Sequence, residues 1–544
     1  MDSLILKRIT LLIILILTIT SIFSYLIIRT ILFFTAPYFW YEKIVAACLL
    51  FAEIFILIHS FGYFINIFHV IMHSKNKYSN ILDKDFELQS FPPVAIIVSS
   101  YKEPLQVVEN TLTCFYNLTY PNKFLYFLDD TRYDINWDTP EKMAKYRQDI
   151  DNLCQRIGIN LFRRIWRGAK AGMINDFLNF LEEKHIKGFT LYPFQEKKSK
   201  EKEKYIIVFD ADMNPFPDFV EPLVAIMENN PKLAFAQTPQ YYSNFEFNRV
   251  ARASGLQQAV FYEYICEGKS MQDAMFCCGT NVIFRREALM NVGGFDESSV
   301  TEDFATSLKF HENGWSSAYL NRVCAFGMGP EDLGGYFKQQ FRWALGTVGL
   351  FRKIIGEFIR NPSKLKMSKW WEYFLSGSHY FVGWIFFIMA ICPVLYLIFG
   401  IPSFFAKVEI YFFFFVPYIV LSLSVFFTTL YQRTYRFKDL FQGICLNAIS
   451  FPVYMKASLL GMLGVKGSFG ITPKGQSNAL PLIGLWPQLS LLLLCFGGIV
   501  WGMLRLYYER EPMGAILVNS FWCLYHFLIL STILYFNHPE ESEL

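Results

Sequence analysis

The stretch YIIVFDADMNPFP, residues 205–217, contains two aspartates one residue apart, directly after a run of β-forming residues. The run predicts a buried strand, because continuous apolar residues of this length are typical of strands covered on both faces. Asp210 and Asp212 then lie on a turn at the carboxyl end of that strand. Taken alone, the turn has two interpretations: an ordinary surface turn, or a carboxylate pair for a divalent metal.

Two upstream segments have the same form, FPPVAIIVSSY (91–101) and KFLYFLDDT (123–131). Helical patterns such as residues 172–181 lie between the strands, and this alternation predicts a mainly parallel sheet with right-handed crossovers. Ligands of such sheets bind at the carboxyl ends of the strands. The polar residues that we expect at this edge, besides the two aspartates above, are Tyr101, Glu103, Asp129 and Asp130.

The composition indicates a membrane protein. Hydrophobic residues make up 53% of the 544 residues and charged residues only 18%, which is too apolar for an ordinary soluble chain. The net charge of +3 gives no field that favours nucleic acid. Apolar runs long enough to span a bilayer predict six helices, two before and four after one polar block. These predicted spans are Ile9–Ile28, Ile44–Met72, Tyr373–Ala406, Ile410–Gln432, Gly475–Leu504 and Pro512–Pro539.

Basic residues that flank the spans, such as Lys75 and Arg433, predict that the polar block is cytosolic. Glu53, inside the second span, faces either the bundle interior or the headgroups. Segments 336–371 and 436–466 are amphipathic and predict helices at the membrane interface. The charge-rich segment 183–204 predicts a solvated loop. The eleven cysteines lack CxxC spacing and predict reduced thiols.

We therefore divide the chain into three regions. Residues 1–75 form an N-terminal membrane region with two helices, and residues 76–335 form an α/β cytosolic domain. Residues 336–544 contain interface helices and four more membrane helices. The fold class is a mixed, mainly parallel α/β domain inserted in a bundle of about six transmembrane helices.

A second acidic cluster lies in SSVTEDFATSLKF, residues 298–310. Thr301 has the position of a helix N-cap, and Glu302 and Asp303 lie in the first turn, where the helix dipole favours anions. A catalytic interpretation makes Asp303 the general base that deprotonates a hydroxyl nucleophile. Arg342 and Trp343 in QQFRWALG (339–346) either anchor an interface helix or bind phosphate and a sugar ring.

The motifs YKEP, DD, AKAG, DAD, CCGTN, TED and Gln339-x-x-Arg342-Trp343 occur here in the order found in processive, inverting family 2 glycosyltransferases. FGITPKG (469–475) resembles the gating loop of bacterial cellulose synthase catalytic subunits. The resemblance implies a GT-A fold that opens onto a polymer channel. It also implies UDP-glucose or another UDP-sugar as donor, a growing β-glucan chain as acceptor, and Mg²⁺, with Mn²⁺ as an alternative.

The resemblance assigns a role to each motif residue. Asp303, with Glu302 and Thr301, is catalytic, and Asp210 and Asp212 bind the metal. Trp343, Cys278, Gly279 and Thr280 lie at the acceptor. The nucleotide-sugar contacts are Tyr101, Glu103, Asp129, Asp130, Lys170, Gln339, Arg342, and the gating-loop residues Phe469, Thr472 and Lys474.

CCGTN stands where the cellulose enzymes have FFCGS, so the glycosidic linkage stays open. The first hypothesis for the product is a β-1,4-glucan. A β-1,3- or mixed-linkage glucan is the second, and a hyaluronan- or chitin-type polymer is the third. A non-processive transferase onto a lipid phosphate and a transporter without enzyme activity are the alternatives from other classes. We expect no PilZ domain in this chain, accessory secretion subunits as candidate partners, a location in the cell membrane, and no nucleic acid partner.

Overall fold

The computed structural model describes residues 3–72, 88–184, 186, 188–195, 201–465, 467, 478–508 and 513–538. The strands are β1 (Val94–Ser100), β2 (Lys123–Asp129), β3 (Asn160–Arg163), β4 (Thr190–Tyr192), β5 (Tyr205–Asp210), β6 (Met213–Pro215), β7 (Leu233–Gln237), β8 (Tyr241–Tyr242), β9 (Val282–Arg285), β10 (Ser316–Tyr319) and β11 (Ala325–Gly327). The helices up to residue 312 are α1 (Ser3–Thr35), α2 (Trp40–Met72), α3 (Leu105–Tyr116), α4 (Pro140–Ile157), α5 (Ala169–Leu181), α6 (Val220–Asn229), α7 (Arg249–Val260), α8 (Cys266–Met271), α9 (Arg286–Asn291) and α10 (Glu302–Glu312). The remaining helices are α11 (Leu333–Arg360), α12 (Met367–Ser378), α13 (Val382–Phe399), α14 (Val408–Gln432), α15 (Phe437–Ile449), α16 (Phe451–Met462), α17 (Trp486–Tyr508) and α18 (Met513–Phe536).

The larger sheet has the strand order β10-β7-β9-β5-β1-β2-β3-β4. β5, β1, β2 and β3 run parallel to one another, whereas β9 pairs antiparallel with both β5 and β7. A smaller sheet has the order β6-β11-β8. The predicted mixed, mainly parallel sheet is confirmed.

Alternate residues of β1 enter two apolar cores. Val94 and Ile96 pack with side chains of α3, α4 and α6 on one face of the sheet. Ala95 and Ile97 pack with side chains of α5, α9 and α10 on the other face. A strand buried on both faces has no polar alternation, which explains the continuous apolar runs in the sequence.

The predicted solvated loop at residues 183–204 is wrong in two places. Thr190–Tyr192 forms the edge strand β4, which pairs antiparallel with β3. Glu203 is buried and lies 3.3 Å from Arg286, so at least one charge of this segment is an interior ion-pair partner. The sequence pattern did not reveal either feature because both depend on partners far along the chain.

Six helical segments among the described residues are long and apolar enough to cross a membrane, as predicted. They are Ile9–Thr35, Trp40–Met72, Met367–Phe399, Val408–Gln432, Leu482–Tyr508 and Met513–Phe536. The third segment begins and ends earlier than predicted. It includes α12, and α13 ends at Phe399 because the next residue, Gly400, has the left-handed φ of 68° typical of a helix C-terminus. α15 and α16 are bent by 51° at Ser450, as in a broken span or a re-entrant pair.

Glu53 faces the interior of the bundle. Its carboxylate lies 2.8 Å from the Arg29 guanidinium and accepts a 2.6 Å hydrogen bond from Tyr25. Arg29 is fully buried and also donates to the carbonyl of Ser403. The ion pair therefore joins the first two spans to the segment between α13 and α14.

Lys269→Met is expected to destabilise the protein by about 3–5 kcal/mol, because it leaves the Glu372 carboxylate buried without its counter-charge. The two side chains are 2.6 Å apart and are 2% and 0% exposed. Thermal unfolding in detergent measures the change. The control is Lys142→Met, which breaks a solvent-exposed pair with Asp138, and equal destabilisation of the two variants would contradict the prediction.

Candidate active site

The register of the parallel strands brings the predicted acidic residues to one edge. Ser100 of β1 pairs with Asp129 of β2, and Ser99 pairs with Asp210 of β5. Asp129 and Asp210 therefore flank the end of β1 from both sides. The sequence-based expectation that the strand ends converge is confirmed for these three strands.

Lys170 and Asp210 form the centre of the site. The Lys170 ammonium lies 2.5 Å from an Asp210 oxygen and donates to the Gly279 carbonyl at 2.8 Å. The backbone N–H of Asp210 donates to the Thr280 hydroxyl at 3.0 Å. Burial lowers the pKa of Lys170, but Asp210 and Glu302 raise it and the net direction is upward, so the side chain stays a cation.

The Asp-Ala-Asp turn is held by a hydrogen bond from α3. Ala211 is buried and its carbonyl accepts a 2.8 Å hydrogen bond from Thr111, whereas Asp210 and Asp212 are half-buried. The turn connects β5 to β6, which belongs to the smaller sheet. The alanine therefore anchors the turn while both carboxylates retain access to solvent.

Asp303 closes the site from the other side, across Gly279. A Cβ atom on Gly279 would lie only 2.9 Å from an Asp303 oxygen, and Gly279 has a φ of 87°, which favours glycine. Lys170 binds the carbonyl of this same glycine. The predicted base, the lysine and the first metal-site aspartate therefore surround one backbone turn.

The neighbouring carboxylates of α10 are electrostatically coupled. Burial and the Glu302 carboxylate raise the pKa of Asp303 above its usual range, against Lys170, which lowers it. Burial also raises the pKa of Glu302, against Lys170 and Arg342, which lower it. An aspartate with an upward-shifted pKa is a stronger proton acceptor once ionised, which suits a general base.

Thr301 has the N-cap position of α10, but its side chain makes no capping hydrogen bond. Its hydroxyl lies 3.2 Å from that of Ser299 instead. Thr301 is therefore the N-cap residue, as predicted, but it does not cap the helix with its side chain. Its backbone has φ −105° and ψ 70° rather than the extended conformation that is typical of an N-cap.

α11 carries Gln339, Arg342 and Trp343, all of them half-buried, and packs against the start of α10. A Cβ atom on Gly346, one turn beyond Arg342, would lie 2.6 Å from the Thr301 side chain. The close approach needs a residue without a side chain, and it brings α11 against the start of α10.

The segment that contains Cys278 is fixed by two glutamines. Gln237 accepts a 2.9 Å hydrogen bond from the Cys278 N–H, and Gln240 donates to the Cys278 carbonyl at 2.9 Å. The adjacent Cys277 N–H donates to Ser307 of α10 at 2.8 Å. The segment from Cys277 to Thr280 thus lies between α10 and the Lys170–Asp210 pair.

Asp129 and Asp130 are buried in ion pairs that the sequence reasoning missed. Asp129 lies 2.7 Å from Arg163, and Asp130 lies 3.2 Å from Arg164. Burial raises the pKa of Asp130 to about 7, against Arg164, which lowers it. Arg163 and Arg164 could have been expected at this edge from the sequence. They lie at the end of β3, a fourth strand that brings charged residues to the same edge.

Tyr101 and Glu103 follow β1 at the outer part of this edge. The Lys102 ammonium lies 4.9 Å from the centre of the Tyr101 ring and 4.9 Å from that of Trp137. Tyr146 donates to the Glu103 carbonyl at 2.8 Å. Phe469, Thr472 and Lys474 lie outside the described residues. After that segment, the Asn478 N–H donates to Asp332, the residue that caps α11.

The residues at the turn fit a hard divalent cation. The described residues contain no cluster of three or more His, Cys, Asp or Glu arranged to hold a metal ion. Mg²⁺ in nucleotide sites commonly takes only one or two protein carboxylates and completes its octahedron with phosphate oxygens and water. Asp210 and Asp212 supply such a set, and the ammonium 2.5 Å from Asp210 shows that this carboxylate already binds a cationic group.

Comparison with known proteins points to one family. A model described as "Glycosyl transferase family group 2" matches residues 205–429. The cellulose synthase catalytic subunit [UDP-forming] of Pseudomonas fluorescens (strain SBW25) is 28% identical over 82% of this chain and 56% of its own length. The protein of the same description from Komagataeibacter sucrofermentans is 26% identical over 90% of this chain and 61% of its own length. Cellulose synthase 2 of Novacetimonas hansenii is 26% identical over 81% of this chain and 26% of its own length.

The chain thus spans between about a quarter and three fifths of the length of these relatives. A mannosyltransferase from Pyrobaculum calidifontis, solved with GDP-Man and Mn²⁺, is 16% identical with a TM-score of 0.42, and the match covers 74% of this chain and 100% of that one. With this TM-score, the similarity supports no conclusion about the fold or the function of this chain. Over residues 205–429 the chain is thus similar to a glycosyltransferase family, and its larger sheet is mixed and mainly parallel, as the sequence predicted.

Proposed function

Because the chain carries a family 2 glycosyltransferase domain and is homologous to bacterial cellulose synthase catalytic subunits, we propose that it polymerises a sugar from a UDP-sugar with inversion. The donor is UDP-glucose and the product a β-glucan, with β-1,4 linkage first and β-1,3 or mixed linkage as the alternative. The protein is a multi-pass membrane protein of the cell membrane, with the catalytic domain in the cytosol.

One observation carries the proposal. The Lys170–Asp210 pair and the Asp303 carboxylate meet across the Gly279 turn, so a cation, a candidate metal ligand and a candidate base lie around one backbone turn. A transporter or scaffold has no use for this arrangement. A transferase that displaces a diphosphate needs all three.

The geometry supports a single displacement. Asp303 takes the proton of the acceptor hydroxyl as that oxygen attacks the anomeric carbon, and the bond to the diphosphate breaks on the opposite side. An α-linked donor then gives a β-linked product without a covalent enzyme intermediate. Lys170 and Arg342 counter the charge that develops on the departing UDP. A divalent cation at Asp210 and Asp212, Mg²⁺ or Mn²⁺, would supply further neutralisation of the diphosphate when bound.

The membrane helices give the polymer a route. Gly346 of α11 approaches Thr301, and a Cβ atom on Gly461 of α16 would lie 3.0 Å from the Leu345 carbonyl, so α11 connects the site to the C-terminal helices. A ring system such as Trp343 can stack on the apolar face of a sugar and hold the chain end at the entrance of the channel. Phe469, Thr472 and Lys474 are proposed to cover the bound nucleotide.

Incubation of the purified protein with labelled UDP-glucose, Mg²⁺ and a lipid bilayer is expected to give a polymer. Digestion by β-1,4-specific but not β-1,3-specific glucanases supports cellulose, and the reverse pattern supports the alternative linkage. A labelled lipid conjugate instead of a polymer would show a non-processive transferase. If none of several UDP-sugars labels any product, the proposal is wrong.

A further inference from the structure

α12, the part of the third membrane-spanning segment nearest the cytosolic domain, packs directly on the helix that carries Asp303. The Tyr373 ring of α12 stacks on Phe304, with ring centres 5.6 Å apart and planes 22° apart. Phe304 immediately follows Asp303 and is 4% exposed. The base is therefore one residue away from a contact with the membrane-spanning segment.

The far end of α10 makes a second contact with the same tyrosine. Nδ1 of His311 lies 2.7 Å from the Tyr373 hydroxyl, and Nε2 lies 3.0 Å from the Ser317 hydroxyl. Ser317 uses its proton to bind the Met275 carbonyl at 2.6 Å. Ser317 must then accept from Nε2–H, which leaves Nδ1 as the acceptor for Tyr373. The direction of every hydrogen bond in this buried chain is therefore determined, from the Tyr373 hydroxyl to His311 and from His311 through Ser317 to the Met275 carbonyl.

The same face of α10 also contacts the segment Cys277–Thr280. Ser307, between Phe304 and His311, donates to the Asp303 carbonyl at 2.7 Å and accepts from the Cys277 N–H at 2.8 Å. This face of α10 is thus held by both Cys277 and Tyr373.

α12 itself is anchored independently of α10. Glu372, next to Tyr373, binds Lys269 of α8 at 2.6 Å and lies 3.4 Å from Asn66 of α2. Ser376, one turn on, accepts a 2.9 Å hydrogen bond from Lys269. The tyrosine therefore projects from a helix whose position is fixed by two other elements.

We infer that His311 and Tyr373 are positioning residues that set the base-bearing helix α10 against the third membrane-spanning segment. The pair contacts Phe304 and Ser317 and acts through the placement of Asp303. The inference rests on the proposed function in assigning Asp303 as the base. The geometric claim, that the hydrogen bond fixes α10, stands by itself.

Tyr373→Phe tests the inference, because it keeps the ring on Phe304 and removes only the hydroxyl. It is expected to lower kcat on the order of tenfold to a hundredfold, since small misplacements of catalytic groups have effects of this size. The KM for the UDP-sugar and the affinity for UDP are expected to stay unchanged. Hydrogen–deuterium exchange is expected to become faster in α10.

Tyr264→Phe is the matched control. Tyr264 is also buried and donates to the carbonyl of Thr429 in α14 at 2.8 Å, so this variant loses a hydrogen bond between the same two regions without contact to α10. A similar loss of thermal stability is expected in both variants, with unchanged kcat and α10 exchange in the control. His311→Gln, which retains a donor and an acceptor, is expected to keep more activity than His311→Leu.

The inference is overturned if Tyr373→Phe and Tyr264→Phe have the same kcat, if the loss appears in KM alone, or if exchange in α10 does not change. Failure of the proposed function is distinguishable, because the wild-type protein then forms no polymer while the exchange experiment still reports on α10. In that case faster exchange in Tyr373→Phe alone supports the geometric claim, and equal exchange overturns it.

Discussion

Asp303→Asn is expected to lower the rate of sugar transfer by about 10²–10⁴-fold, the usual contribution of a general base. The substitution keeps the volume of the side chain and its hydrogen bond from the Phe304 N–H, which is 2.8 Å long in the wild-type protein. The amide cannot take a proton from the acceptor hydroxyl, so the substitution removes this function of the carboxylate. Single-turnover incorporation of labelled sugar at saturating UDP-sugar measures the effect.

UDP binding is expected to persist in this variant. Loss of one negative charge near Lys170 leaves the ammonium more available to the diphosphate, so the affinity for UDP should be maintained or rise. Glu312→Gln, at the other end of α10, is the matched control and removes a carboxylate that binds Lys364. Full transfer activity in Asp303→Asn would show that another group is the base.

The raised pKa of Asp303 also determines whether the activity of the wild-type protein rises or falls with pH. Burial and Glu302 raise the pKa of Asp303, so the base becomes protonated at a higher pH than the ordinary aspartate value of about 4. Activity is present above the raised pKa and falls about tenfold per pH unit below it, because only the ionised form accepts a proton. Residual turnover in Asp303→Asn should lack this acid limb.

The sequence predicted those parts of the site that depend on neighbours along the chain. A strand followed by charged residues was enough to bring Asp129 and Asp210 to one edge, because the periodicity of strands and helices determines a parallel sheet. Asp303 was assigned from a helix start and from the resemblance. Gly279 was assigned to the acceptor from the resemblance alone, without its close approach to Asp303.

What the sequence missed are partners that meet only through the fold. Arg163 and Arg164 neutralise Asp129 and Asp130, and no local pattern states which carboxylate each arginine meets. The contact between His311 and Tyr373 joins residues 62 positions apart. The edge strand Thr190–Tyr192 lies in a segment whose composition favours a loop, and pairing with β3 outweighs that preference.

Asp210→Asn is expected to reduce kcat by about 10²–10³-fold, the cost of one preorganised electrostatic contact to developing charge. The reason is twofold, since Asp210 is the first ligand proposed for the cation and the residue that positions the Lys170 ammonium. Both groups are proposed to neutralise the same leaving group, and an amide at this position has no charge to hold either of them. The variant should also need more Mg²⁺ or Mn²⁺ for half-maximal rate, which a metal titration of UDP release measures.

Asp218→Asn separates this effect from a general loss of charge near β5. Asp218 follows β6, its side chain is 53% exposed and it pairs with Arg322, so the activity and metal requirement of this variant should match the wild-type values. If Asp210→Asn keeps the wild-type metal requirement, the cation binds elsewhere. If it loses rate but not metal affinity, Asp210 acts through Lys170 alone. The metal titration therefore separates the two roles of Asp210, as a metal ligand and as the partner of Lys170. Only the metal concentration can be varied, because the Lys170 ammonium is part of the chain.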